Sequence, residues 1–288
     1  MVRARMKMND GKWFERLRKA LEVALPGQEK AVLSLAASVA AAELGLRPQT
    51  GPRRSFLLAG PLGVGQRAAA WAVACELFSE RGEDPTWNTI AHWEPQQTFA
   101  KAAPSGGVVF VPALQAAPES FRRELESRLR GGSDFDGWYV FGAVDLLSDK
   151  ALYADSGDRD WRKRIKAELE STLPTDFLSA WSEIVLFRPL QDEALQAIAE
   201  IVIAELVRDL NAGGAFEVET TPRFIEEMAV VAARHASREY GVYSIGQWVT
   251  SAMSRAVAAA SIEGLLRGRM RVNENLSGYV VEPPQREE

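Results

Sequence analysis

Residues 56–67, FLLAGPLGVGQR, constrain this chain more than any other stretch. A short apolar run (Phe56, Leu57, Leu58, Ala59) enters a glycine-rich turn, Gly60-Pro61-Leu62-Gly63-Val64-Gly65, and the helix-prone run Ala68–Ala74 leaves it. This is the strand–loop–helix frame of a phosphate-cradling loop, whose pattern is GxxxxGK followed by Ser or Thr. The glycines let backbone N–H groups converge on an anion at the positive end of a helix. The frame is intact and the reactive part is replaced. Gln66 stands at the lysine position, and Arg67 stands where a hydroxyl would hold magnesium.

A chain of 288 residues can build one large domain or two modest ones. With 47% hydrophobic and 25% charged residues it has the balance of an ordinary globular protein, which argues against wholesale disorder. The net charge of −5 supplies no bulk basic field, so no nucleic-acid partner is expected. Cys75 is the single cysteine, which removes an internal disulfide framework and any cysteine-cluster metal site. The two histidines, His92 and His235, lie far apart in sequence, and no serine or cysteine has a triad-like context. No metal is expected. The basic start, MVRARMKMNDGKW, has no apolar segment behind it, and the apolar stretch at 31–46 is interrupted by Ser34, Ser38 and Glu43. The expectation is a cytoplasmic protein with no membrane partner.

Taken in order, Trp13, Leu17, Leu21 and Ala24 fall at helical spacing, Pro26-Gly27 breaks that helix, and a second runs from Gln28 to a stop at Gly45. Residues 47–54 form a Pro/Gly linker into the loop strand, and SERGEDPTWN reads as a turn-rich surface segment. Val108–Val111, Trp138–Phe141 and Ile184–Phe187 are short apolar runs of the kind that form buried parallel strands, with helices at 118–129 and 149–171 between them. From Gln191 long helices dominate (191–210, 222–236, 244–267), and Gly278–Glu282 reads as a terminal strand. The expected fold is α/β: a parallel sheet with helices on both faces, followed by a small, mostly helical domain with a terminal strand. The expected boundaries are an N-terminal helix or arm at 1–24, the loop domain at 25–190 and the helical domain at 191–288.

Four segments carry a family resemblance. Leu25-Pro26-Gly27-Gln28-Glu29-Lys30-Ala31-Val32 resembles the GQ box that precedes the loop in Clp-type modules, and Ser55–Pro61 resembles their loop strand. Glu183–Leu190 resembles the strand that leads into their small domain, and Arg238-Glu239-Tyr240-Gly241 resembles the stretch before the sensor-2 arginine. In this order and spacing the chain resembles the second ATPase module of the Clp-type unfoldases and disaggregases, members of the AAA+ class. The resemblance covers nearly everything from Leu25 onward.

The departures from that family's pattern carry the functional expectation. Gln66 brings no charge to the β/γ-phosphates, and Arg67 would compete with a metal. The Walker B acids, expected after Val108–Val111, are Pro112 and Ala113; neither can coordinate a cation or accept a proton. The sensor-1 asparagine position holds Asp145, the arginine-finger position after Phe177-Leu178-Ser179 holds Ala180, and the sensor-2 position holds Tyr243. An arginine finger alone is worth orders of magnitude in rate, and without a water-activating acid there is no general base. The resemblance therefore implies a pseudo-ATPase with no catalytic residues. Its vestigial pocket would comprise Gly27, Gln28, Gly60, Gly63, Gly65, Gln66 and Arg67, with Pro112, Ala113, Asp145, Ala180 and Tyr243 at the former catalytic positions. The interval between Phe78 and Val108 is compressed and has no aromatic-glycine pore loop, and Trp87, Trp93 and Phe99 read as packing residues.

Three states of that pocket are open to sequence reasoning: empty and structural, binding nucleotide without turnover, or filled by protein side chains. In the sharpest version of the last, Arg67 turns into the metal position and pairs with Asp145; otherwise Arg67 is a solvated residue at the helix start. No cofactor is expected, with residual ATP or ADP binding as the alternative. The expected role is a scaffold or regulatory partner in an AAA+-type oligomer, docking with itself or with an active Clp-type unfoldase. A nucleotide sensor and a subunit of a mixed ring are the alternatives.

Overall fold

The computed structural model describes residues 12–48, 50–78, 87–89, 106–131, 135–146, 158–212, 217–220, 223, 225–227, 229–230, 245–247, 249–251, 254–255, 269–272 and 281–282. The chain divides into two compact units, Met1–Pro189 and Leu190–Glu288.

The first unit opens with α1 (Trp13–Ala24), which buries Trp13, Leu17 and Leu21 on one stripe. Arg18 pairs with Glu15 and Glu22 on its outer face. Helix α2 (Glu29–Glu43) buries Ala31, Val32, Leu35, Ala36, Val39 and Ala42. It ends in a left-handed cap: Gly45 sits at φ +98°, and the Leu46 N–H reaches back to Ala41 O at 2.9 Å. Strand β1 (Arg54–Gly60) follows, then α3 (Gln66–Phe78), β2 (Trp87–Thr89), β3 (Val108–Val111) and a 3-10 turn (Leu114–Ala116). Helix α4 (Glu119–Leu129), β4 (Tyr139–Asp145), α5 (Asp158–Thr172), the short α6 (Thr175–Ser179) and β5 (Glu183–Leu186) complete the unit.

These strands form one sheet in the order β2-β3-β4-β1-β5, and each adjacent pair is parallel. Side chains alternate across it. Leu57, Ala59, Val109, Val111, Val140 and Val144 face Phe121, Leu125 and Leu129 of α4, Ile165 and Leu169 of α5, and Phe177 of α6. The opposite face stacks Phe56 on its register neighbour Phe141 at 4.9 Å between ring centroids. Helices α1, α2 and α3 pack together on that side, and Phe78 at the end of α3 meets Tyr139 edge-on. The result is the expected parallel sheet with helices on both faces, the arrangement that brings ligand-binding loops to the carboxyl ends of the strands.

The segment read as surface turn, residues 79–88, ends inside β2, the edge strand that pairs with β3. Three residues with a single partner strand leave too short a pattern for periodicity to register.

The second unit contains α7 (Asp192–Ala212) and a small sheet of β6 (Glu217–Thr220), β7 (Arg269–Val272) and β8 (Val281–Glu282). Strand β6 runs parallel to β7, and β8 runs antiparallel to it. The terminal strand was expected; β6 and β7 were not, because both are short and polar. Of the two long helices expected at 222–236 and 244–267, the described residues between 223 and 230 and between 245 and 255 are helical, and the rest lie outside the described residues. Among the described residues no helix is long and apolar enough to cross a membrane.

Candidate functional site

The carboxyl ends of β1 and β4 lie side by side, with Gly60 opposite Asp145, and the glycine-rich loop rises from this edge. Gly60 O accepts from the Leu146 N–H at 2.9 Å, and Ala59 O accepts from the Phe187 N–H at 2.8 Å. The chain leaving β5 is thereby drawn against the start of the loop. A side chain at residue 60 would stand 2.7 Å from Phe187 Cβ, so the close approach requires glycine. Gly65 has φ +105°, and a Cβ there would meet Leu25 Cδ2 at 2.7 Å. Leu25 itself is buried, which places the end of α1 over the loop. The backbone frame read from sequence is therefore built, with Gly63 also left-handed at φ +77°.

The side chains around this frame make an internally bonded cluster of amides and one carboxylate. Gln66, the first residue of α3, is buried and donates from Nε2 to Val144 O at 3.2 Å. Its side chain also lies close enough to the Asp145 carboxylate to favour the charged form. Asp145 is gripped from the other side by Gln115, whose Nε2 donates to Asp145 Oδ2 at 3.3 Å and whose Oε1 accepts from the Asp145 N–H at 3.0 Å. Burial pushes the Asp145 carboxyl above its ordinary range, while the amides of Gln115 and Gln66 pull it back.

Gln115 is the residue that sequence reasoning missed. It sits in the 3-10 turn that follows Pro112 and Ala113, and Ala113 starts that turn in a left-handed conformation, φ +49°. The available signal was a lone polar side chain in the otherwise apolar run PALQAAP.

The expected Arg67–Asp145 pair is not what the structure contains. Arg67 is exposed, and it is not among the groups acting on the Asp145 carboxyl. Successive helical residues diverge by about 100°, so the turn that carries Gln66 inward carries Arg67 outward.

Gly27 and Gln28 stand beside the loop, tied to the chain leaving β5. Gln28 is 2% exposed; its Nε2 donates to Arg188 O at 2.7 Å, and its Oε1 accepts from the Arg188 N–H at 3.0 Å. Arg188 Nε donates to Gly27 O at 2.5 Å, and its guanidinium reaches Glu29 at 2.8 Å. Both heteroatoms of the Gln28 amide are thus engaged within the protein.

Pro112 and Ala113 are half-buried at the end of β3, next to β4. Ala180 is not brought to the loop. It caps α6 just before Ser182, whose hydroxyl accepts from the Ser55 N–H at the start of β1, so it lies toward the opposite end of the sheet. Tyr243, Trp93 and Phe99 lie outside the described residues. Among the described residues, no group of three or more His, Cys, Asp or Glu could hold a metal ion.

A magnesium–triphosphate needs a cation aimed at its phosphates and a hydroxyl or carboxylate free to hold the metal. The inward groups here are a neutral amide bonded to Val144 O and a carboxylate bonded to the Gln115 amide. This donor set does not fit such a ligand.

No family profile matches the chain. In sequence it is 22% identical over 299 aligned positions to the chaperone protein ClpB of Clostridium perfringens, covering 92% of this chain and 34% of that protein. It is 26% identical to ClpB of Meiothermus ruber, covering 74% of this chain and 29% of the relative. It is 27% identical to the chloroplastic ATP-dependent Clp protease ATP-binding subunit ClpA homolog of Brassica napus, with the same two coverages, 74% and 29%. In fold it matches an Hsp104 chain from a closed-state reconstruction with ATPγS and FITC-casein, at a TM-score of 0.78 and 15% identity, covering 96% of this chain and 53% of that one. The chain thus resembles a Clp-type AAA+ module in sequence and fold, and it spans about a third of the length of the curated relatives it matches.

Proposed function

We propose that this chain is a Clp-like AAA+ module without ATP turnover, and that it serves as a scaffold or regulatory partner. It docks through AAA+-type surfaces with a second copy of itself or with an active Clp-type unfoldase. One observation carries the reading: the residue at the lysine position, Gln66, is buried and spends its amide on Val144 O instead of facing a ligand. Pro112 and Ala113, where the metal-holding and water-activating acids would stand, can do neither job. Each charge-assisted contact that is absent is worth about 1.5–3 kcal/mol, and a partner supplying an arginine in trans would not replace the acids.

The test is calorimetric titration of the purified chain with ADP and ATP, with and without Mg²⁺, beside a phosphate-release assay. The expected result is no saturable heat at millimolar nucleotide and no turnover. Gln66→Lys alone should not restore either, since the metal ligands are still missing. Saturable micromolar binding would replace the scaffold with a nucleotide sensor. Turnover that appears only on mixing with a Clp-type unfoldase, above that enzyme's own rate, would replace it with a mixed ring.

A further inference from the structure

Two neutral carboxamides hold the loop end of the sheet, each across a long sequence separation. Gln28 pairs with both the N–H and the C=O of Arg188, 160 residues away. Gln66 reaches Val144, 78 residues away. The Arg188 side chain adds its bonds to Gly27 O and Glu29, so four hydrogen bonds tie that residue to the start of α2. Phe187, one residue earlier, is buried against Gly60 and bonded to Ala59 O. Arg188 is also next to the end of the first unit, which closes at Pro189.

A group built into the chain is always present at its site, whereas a bound ligand is present in proportion to its concentration. Both amides are buried and bonded inside the protein, so the loop and the exit from β5 are set by internal contacts. We infer that Gln28 and Gln66 are internal staples that fix the glycine loop and the chain leaving β5 without nucleotide, so that the first unit presents one conformation whatever the nucleotide level. This rests on the proposed reading of the module and deepens it: the scaffold is constitutive, not switched. Both residues act as positioning residues.

Hydrogen exchange on the full chain, read by mass spectrometry with and without millimolar ADP or ATP, tests the staples. In the wild type, exchange across 183–190 and 142–146 should be the same in every nucleotide condition. Without nucleotide, Gln28→Leu should speed exchange of the Arg188 amide about tenfold, the equivalent of one to two neutral hydrogen bonds, and leave β1 unchanged. Arg188→Ala retains the main-chain pairing to Gln28, so its effect there should be smaller. Gln66→Leu should loosen 142–146 and leave Arg188 protected. This regional split is one that general destabilisation would not produce. If Gln28→Leu folds poorly, the Gln66→Leu and Arg188→Ala patterns decide the matter. Unchanged exchange at Arg188 in Gln28→Leu and at 142–146 in Gln66→Leu would overturn the staples while leaving the nucleotide-free scaffold standing. Nucleotide-dependent protection of 60–66 in the wild type would overturn the scaffold reading itself.

Discussion

The two ends of β1 and β4 solve the same problem with different chemistry. At the entry end, Arg53 donates to Glu43 at 2.5 Å, the Tyr139 hydroxyl donates to the same carboxylate oxygen at 2.7 Å, and the Arg53 guanidinium lies 5.8 Å from the centroid of the Phe78 ring. The pair is nearly dry, with side-chain exposures of 11% and 8%. Burial and the Glu43 carboxylate push the Tyr139 hydroxyl well up, keeping it a neutral donor. At the exit end, one carboxylate, Asp145, is held by the neutral amide of Gln115, with no cation among the groups that shift it. The entry end is a buried charge network of the kind that a fold retains for structure, with the Arg53 Nε left without a hydrogen bond. The exit end sets neutral amides around a glycine loop and one carboxylate.

The contrast would break most visibly at Glu43. Glu43→Ala leaves a buried guanidinium unpaired and should destabilise the protein by about 3 kcal/mol, read from urea denaturation. Replacing every partner, Arg53→Met with Glu43→Leu and Tyr139→Phe, should lose much less than the single change, since no buried polar group is then orphaned. A triple mutant as unstable as Glu43→Ala would mean that the network matters for its shape and not its charge.

A smaller loss is expected at the other end. Gln66→Ala removes the donor from the buried Val144 O, for about 1.5 kcal/mol. A loss as large as that of Glu43→Ala would erase the distinction between the ends.

The third change should be favourable. Ala113 is the one described non-glycine residue with positive φ, at +49°, and Ala113→Gly should add about 1 kcal/mol by relieving left-handed strain. Thermal unfolding of the variant checks this, and a drop in melting temperature would show that the alanine side chain is needed where it sits.

The smallest effect concerns pH. Burial raises the Asp145 pKa above its ordinary 3.8, so the folded state binds the proton more strongly than the unfolded chain does. The stability this contributes is fully present below 3.8 and is lost as pH rises through the raised value. Asp145→Asn should therefore melt slightly higher than wild type at pH 7, with the difference vanishing in acid. A difference that grows in acid would reverse the sign of the argument.

Much of the fold was legible in the sequence because it rests on local patterns. The period of Trp13, Leu17 and Leu21 marks α1, the apolar runs mark β1, β3, β4 and β5, and Gly45 marks the end of α2. The edge strand β2 and the small strands β6 and β7 were not legible: each is only three or four residues long and is stabilised by pairing with a distant strand. At the site, the positions of Gly60, Gly63, Gly65, Gln66 and Asp145 could be read by register with a known pattern, but their partners could not. Arg67 was the better guess for Asp145 on charge alone. The helix starts one residue earlier than that guess needs, and it turns the guanidinium away.

The glycine loop and the strands that carry it follow from residue identity and short-range backbone preference alone. The partners of the buried amides come from the tertiary fold. Gln28 meets Arg188 across 160 residues, Gln66 meets Val144 across 78, and Gln115 meets Asp145 across 30. Such pairings depend on strand order and on which turn of a helix faces inward. Neither is written in the neighbours of any one residue, because buried polar groups take whatever partner the packed backbone places within hydrogen-bond reach.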